Sequence, residues 1–210
     1  MEKITVNYTT LKSFVDNDRS TYDDIVKRFS SGDAALTLDQ IAQAYYATPF
    51  AGFVPLTALV ATANQLYRNR DYRVAYFMYL DALEQDPFSL LLLKKAANAS
   101  YLGAIDEAAT RQLRDKVKRL QEVIKATGDG ATPDTAFKVT QVNDEYEILY
   151  DIFHVKDVIS QSVVRRYGAQ VCDEMTVMIL GDTAPRKVYF DVYGETEADM
   201  QDFFNRKKTY

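Results

Sequence analysis

The sequence predicts an α+β protein: a helical, repeat-like part over residues 1–127 packed on an antiparallel β-sheet of about five strands over residues 128–210, as one compact unit. Three observations predict it. Apolar residues recur at helical spacing as far as residue 127 or so. The run Gly128-Asp129-Gly130 then interrupts that period, and beyond it apolar residues alternate at strand spacing. At 210 residues the chain can bury a sizeable core without staples.

Residues 1–20 read as an extended entry followed by polar coil, with a turn at Asp16-Asn17-Asp18. Ser20 is placed to cap a helix over 21–29, whose early Asp23 and Asp24 and late Lys27 and Arg28 suit the helix dipole. Thr37 and Gln40 have the spacing of a capping box ahead of a helix over 38–46, with Leu38, Ile41 and Tyr45 on one face. Pro49 and Pro55 frame an aromatic loop that cannot be regular helix.

Helices are then expected over 56–69 and 71–85, the second stopped by Asp86-Pro87. Their spacing resembles a tetratricopeptide repeat, with Leu59, Ala63 and Leu66 on the first helix, Ala75, Tyr79 and Ala82 on the second, and Pro87 closing the unit. Leu59 and Leu66 stand where that repeat has Trp and Tyr. A shift of about 34 residues carries the pattern to Leu93, Ala97, Ala109 and Leu113. The second unit runs on as a long helix over 106–126, with the stripe Leu113, Val117, Leu120 and Ile124 and the pairs Glu107/Arg111 and Asp115/Arg119. Gly128 is expected to end it in a left-handed turn. So few repeats leave a face uncovered, so the sheet is expected to cap the stack.

After the glycines, residues 136–142 and 145–153 read as a β-hairpin around an Asn143-Asp144 turn, with Tyr146, Ile148, Tyr150 and Ile152 toward the helices. Further strands are expected over 160–166, 171–179 and 187–193, the last with Val188, Phe190 and Val192 on one face. The tail over 195–210 reads as a short amphipathic helix.

The segments Gly128-Asp129-Gly130, Thr132-Pro133-Asp134-Thr135-Ala136-Phe137 and Asp144-Glu145-Tyr146-Glu147-Ile148-Leu149 resemble a bacterial family of uncharacterised proteins, domain-of-unknown-function family 4919. The likeness extends more loosely to Tyr45-Tyr46, the repeat-like middle and the strand over 187–192. It implies a helix-then-sheet layout and no reaction. Members of such families are often exported. The N-terminus here has no basic segment followed by an apolar one, so the expectation is cytoplasmic by default, exported if a signal has been removed.

Composition excludes several functions. A net charge of −5 opposes generic nucleic-acid binding. One Cys and one His leave no cysteine-rich or multi-histidine metal site, and no cofactor is expected. The uncharged run over 40–67 is broken by Pro49, Gly52 and Pro55, which argues against a membrane span. Gly128-Asp129-Gly130 follows a helix C-terminus, where the dipole has the wrong sign for phosphate, so Gly128, Asp129 and Gly130 read as a structural hinge.

The remaining chemical candidates are His154 with Ser160, Ser162 or Cys172, and the carboxylates Asp144, Glu145, Glu147, Asp173, Glu174 and Asp191. Glu145 and Glu147 on one strand face could join Asp191 for Ca²⁺ binding or acid–base work, against the simpler role of a solvated outer face. Arg111, Arg114, Lys116, Lys118 and Arg119 alternate with acids and read as a solvated helix face. Tyr67, Tyr72, Tyr76 and Tyr101 are the candidates for a peptide-binding groove, with core packing as the competing role. The sequence therefore favours a non-enzymatic scaffold or peptide- or protein-binding module, the alternative being a hydrolase built on His154 or a carboxylate cluster. An uncovered sheet edge that recruits a partner strand is a third possibility, and oligomeric state is left open.

Overall fold

The structure, a computed structural model, describes residues 3–52, 56–165 and 171–191. In those residues eight α-helices and four β-strands share one buried apolar cluster that runs from Tyr8 to Phe190. The first three helices are α1 (Tyr8–Asn17), α2 (Arg19–Ser31) and α3 (Leu38–Ala47), followed by a 3-10 turn at Thr48–Phe50. The next four are α4 (Thr57–Arg68), α5 (Tyr72–Gln85), α6 (Leu90–Leu102) and α7 (Glu107–Lys125). Then come β1 (Phe137–Lys138), α8 (Val142–Ile152), β2 (Val155–Arg165), β3 (Val171–Ile179) and β4 (Arg186–Asp191).

The start of the chain corrects the expected coil. Asn7 accepts a hydrogen bond from the Thr10 N–H at 3.1 Å, and Tyr8, Leu11 and Val15 bury one helical face. The polar run Asp16-Asn17-Asp18 is the junction between two helices. Asp18, not Ser20, caps α2, accepting from the Thr21 N–H. Gly32, at φ 77°, ends α2 with its N–H on the Arg28 and Phe29 carbonyls.

The capping box of α3 forms as expected. Thr37 Oγ1 accepts from the Gln40 N–H at 3.2 Å, and Gln40 Oε1 accepts from the Thr37 N–H at 2.9 Å. Thr37→Ala is expected to cost about 1 kcal/mol, read from the urea midpoint; an unchanged midpoint would mean that packing alone sets this helix end. Helices α4, α5 and α7 fall close to their expected bounds, with Ala63, Ala75, Tyr79 and Ala82 buried, and the repeat-shifted Leu93 and Ala97 are buried on α6 between them.

One expected ion pair is replaced. Arg119 donates to the Asp33 carbonyl at 2.9 Å and to the Leu36 carbonyl rather than meeting Asp115. Lys116 Nζ and Gln112 Nε2 donate to the Ser30 and Ser31 carbonyls, each at 2.5 Å. One stripe of α7 thus grips the carbonyl end of α2, where unpaired acceptors gather.

The expected hairpin is the main correction. Residues 142–152 form a helix, α8, not a strand, and Asn143-Asp144 lies in its first turn. Asp144, Glu145, Ile148 and Leu149 are buried at spacing i, i+1, i+4, i+5, so the fold selects the helical period. The alternation of Tyr146, Ile148, Tyr150 and Ile152 contains Ile148 and Ile152 at i, i+4, which fits a helix equally. Acids in the first turn favour the helix as well.

The sheet is mixed, with four strands in the described residues in the order β1-β4-β3-β2. β1 is parallel to β4, and the other pairings are antiparallel. Val188 and Phe190 are buried as expected; Val192, Tyr193 and the tail over 195–210 lie outside the described residues. The loop before β1 is tied to both halves. Ile4 N–H donates to the Ala126 carbonyl, Asp129 and Gly130 N–H groups donate to the Thr135 carbonyl, and Tyr189 N–H donates to the Gly130 carbonyl.

Gly128 is not left-handed; Gly130 is, at φ 68°. Gly128 is needed for another reason: a Cβ there would lie 2.1 Å from the Thr135 carbonyl oxygen.

Candidate functional site

Two places concentrate polar chemistry, and one of them is a cleft. It lies between α6, α7 and α8 and has a volume of about 380 Å³, within the range of small-ligand sites. Ala97 and Val117 provide apolar floor, and Lys94, Asn98, Arg114, Lys118, Gln121, Tyr150, Asp151 and His154 provide the polar lining.

The deeper charges are already balanced. Lys94 Nζ donates to Asp151 Oδ1 at 2.7 Å and to Glu147 Oε2. Burial works to lower the Lys94 pKa, but the hydrogen bonds to Asp151 and Glu147 outweigh it and hold the ammonium above its ordinary value. Gln121 Nε2 fills the other oxygen of Asp151 at 2.7 Å. The outer charges are not balanced in this way. Arg114 lies with its guanidinium 5.2 Å from the centroid of the Tyr101 ring, and neither it nor Lys118 makes an ion pair among the described residues.

His154 stands at the mouth of this cleft, just past the C-terminal cap of α8, at φ 52°. That position normally takes glycine, because a β-carbon is strained there. Its carbonyl accepts from the Leu180 N–H at 3.1 Å, which fixes the backbone. The strand register does not bring His154 to the expected nucleophiles. Val155 pairs with Ile179 at one end of β2 and Val164 pairs with Cys172 near the other, so His154 and Cys172 are roughly 30 Å apart at strand rise. Ser160 and Ser162 lie further up the same strand, ~20 Å or more away. Cys172 is buried.

The second place is a buried joint. Tyr45 Oη donates to Asp144 Oδ2 at 2.7 Å and accepts from the Thr140 N–H at 3.2 Å; beside it, Tyr46 Oη donates to the Lys138 carbonyl at 2.9 Å. Burial pushes both phenols well above their ordinary range. It also pushes Asp144 up to about 8; Asp86 adds to the rise, while the Tyr45 hydroxyl and the Leu90 N–H oppose it. The joint is sealed, so it holds the halves together rather than meeting a ligand.

The expected carboxylate set is dispersed. Glu147 belongs to Lys94 and Asp191 to Lys138, while Glu174 binds Lys187 at 2.9 Å and the Tyr189 hydroxyl at 2.8 Å. Asp173 accepts from Gln161 at 2.7 Å. Glu145 is buried on α8 rather than sharing an exposed face with Glu147. Among the described residues no group of His, Cys, Asp and Glu is placed to hold a metal ion.

The four tyrosines fall into three places. Tyr67 and Tyr72 meet edge to face, 5.3 Å between centroids. Tyr76 is buried against the neighbouring Phe77. Tyr101, 64% exposed, reaches the cleft through Arg114. Gly128, Asp129 and Gly130 form the tied turn between halves, with Asp129 Oδ1 accepting from the Ala131 N–H at 2.9 Å. Lys94, Gln121, Tyr150 and Asp151 were missed from the sequence, because they come together from three separate helices.

A family profile described as Domain of unknown function (DUF4919) matches residues 9–201 of the chain. No curated protein and no solved structure matches it. Among the described residues no helix is long and apolar enough to cross a membrane.

Proposed function

We propose that this chain, which belongs to the DUF4919 family, is a non-catalytic binding module that holds a segment of a partner protein in the cleft between α6, α7 and α8. The observation that carries this is the lining itself. It offers an apolar floor, an aromatic ring at Tyr150 and several hydrogen-bonding side chains, which is the mixture that binds peptide. It offers no nucleophile beside a base, since Cys172, Ser160 and Ser162 lie far from His154.

The tetratricopeptide-like reading of α4 to α7 belongs to the same proposal. Its support is the burial of small residues at the repeat positions Ala63, Ala75, Ala82 and Ala97, where helix backbones approach closely, with Tyr79 filling the space beside them. Repeat modules of this kind characteristically bind extended segments on a helical surface.

The test is a random phage-displayed peptide library panned on the full chain, with Val117→Arg as the blocking variant. Selected peptides are expected to bind the wild type, and Val117→Arg is expected to weaken them at least about tenfold, the effect of losing ~1.4 kcal/mol of contact. Tyr72→Ala is expected to leave binding unchanged. If no peptide is selected, or if Val117→Arg binds as well as wild type with its thermal midpoint intact, the cleft is not the site.

A further inference from the structure

We infer that the segment held in the cleft is acidic, recognised through carboxylate side chains by Arg114, Lys118 and His154; this rests on the binding reading above and goes beyond it by naming the chemistry of the partner. The argument starts from which charges in the cleft are spent. Asp151 has both oxygens occupied, one by Lys94 and one by Gln121, and Glu147 is also held by Lys94. The acids therefore neutralise the floor and present little free negative charge outward.

Arg114 and Lys118 are the opposite case. They stand four residues apart on α7, about 6 Å along the axis, both exposed and both without a carboxylate partner among the described residues. Several cations elsewhere in the chain are neutralised by its own acids. Arg111 has Glu107, Arg28 has Asp24 and Asp33, and Arg19 has Asp23. These two instead share a cleft wall whose lining holds Lys94, Arg114 and Lys118 against one carboxylate, Asp151. The Tyr101 ring beneath Arg114 restrains the guanidinium, which lowers the entropy lost when it engages a carboxylate.

His154 is the third polar residue at this wall of the cleft. A histidine held at φ 52° just past the end of α8 carries strain that glycine would relieve. His154 lines the same cleft as the two cations. An imidazole N–H there would add a donor for a carboxylate, while the positive φ, shared with Arg70 and Ala104 just past the ends of α4 and α6, belongs to the way these helices end. Asn98 and Tyr150 add neutral donors around them.

The experiment takes the peptides selected on the full chain and remakes each with Gln for Glu and Asn for Asp, measuring binding by fluorescence anisotropy at low and high salt. The selected peptides are expected to be rich in Asp and Glu. Their amide versions are expected to lose at least about tenfold in affinity, and added salt is expected to weaken the acidic peptides but not the amides. Arg114→Gln with Lys118→Gln is expected to abolish the difference between the two series, with the thermal midpoint unchanged. His154→Gly is expected to raise the thermal midpoint while weakening the acidic peptides.

Selected peptides that are neutral or basic, yet lost on Val117→Arg, would overturn the acidic inference and leave the binding proposal standing. Failure to select any peptide removes both. Succinate displacing the acidic peptides at equal concentration would also overturn the inference, by making the site one for small dicarboxylates.

Discussion

Gly128→Ala is expected to destabilise the protein by roughly 3 kcal/mol, the upper end of what a single overpacked methyl does. A β-carbon at this position would lie 2.1 Å from the Thr135 oxygen and 2.7 Å from the Ala136 oxygen, both of them backbone atoms. Neither can rotate aside as a side chain would. The Thr135 carbonyl accepts from the Asp129 and Gly130 N–H groups at 3.0 and 2.8 Å, so moving it away breaks the turn that joins the two halves. Each such hydrogen bond is worth about 1 kcal/mol net. The same substitution at a merely left-handed helix end would cost nearer 1–2 kcal/mol, order of magnitude. The urea midpoint therefore separates close approach from left-handed geometry, and a loss no larger than that would sink the close-approach account. Asp129→Asn, which keeps the acceptor for the Ala131 N–H, is expected to change little.

What the sequence disclosed follows from how local each signal is. Helices α3, α4, α5 and α7 were legible because their caps and apolar stripes lie within a few residues of each other, as with Thr37 and Gln40 or with Leu113, Leu120 and Ile124. α8 was not legible, since Ile148 and Ile152 satisfy both an alternating and a helical pattern. Only tertiary burial of Asp144 and Glu145 decides between them, and burial of acids is the last thing a pattern of polar residues suggests. α1 was hidden for a related reason: Asp16-Asn17-Asp18 read as a turn in polar coil, and Asp18 is the cap at its C-terminal end.

The cleft was half visible. The basic residues of α7 looked like one solvated face, but they divide into two stripes at i, i+4, i+7. Gln112, Lys116 and Arg119 reach the end of α2, while Arg114, Lys118 and Gln121 line the cleft. The spacing carried that division; which stripe met protein and which met solvent depended on where α2 and α8 came to rest. The sheet register was similarly out of reach, and it is the register that separates His154 from Cys172.

Between pH 5 and pH 8 the protein is expected to lose stability as the pH rises, and Asp144→Asn is expected to remove most of that loss. The cause is the position of Asp144 under α3 and α6, where burial raises its pKa to about 8. Unfolded, the same carboxyl titrates near its ordinary value of 3.8. Over the interval between these values the folded state carries a proton that the unfolded state has released. Stability is then fully present below about pH 4 and declines by up to about 1.4 kcal/mol per pH unit until pH 8. Asp86, also raised by burial, slopes the same way. Asp33, Asp129 and Glu174 have lowered pKa values and act only at acid pH, so they do not mask the effect. Asparagine keeps an acceptor for the Tyr45 hydroxyl and has no charge to bury, so the variant should be the more stable protein at pH 8 and show a flatter profile. Tyr45→Phe separates this from a general effect of the joint. It strips the donor from Asp144 and the acceptor from the Thr140 N–H, and is expected to cost about 2 kcal/mol or more at every pH. Urea midpoints across the range decide the matter: a wild-type profile that is flat from pH 5 to 8, or a slope that Asp144→Asn leaves untouched, would mean that the carboxyl enters the fold already ionised.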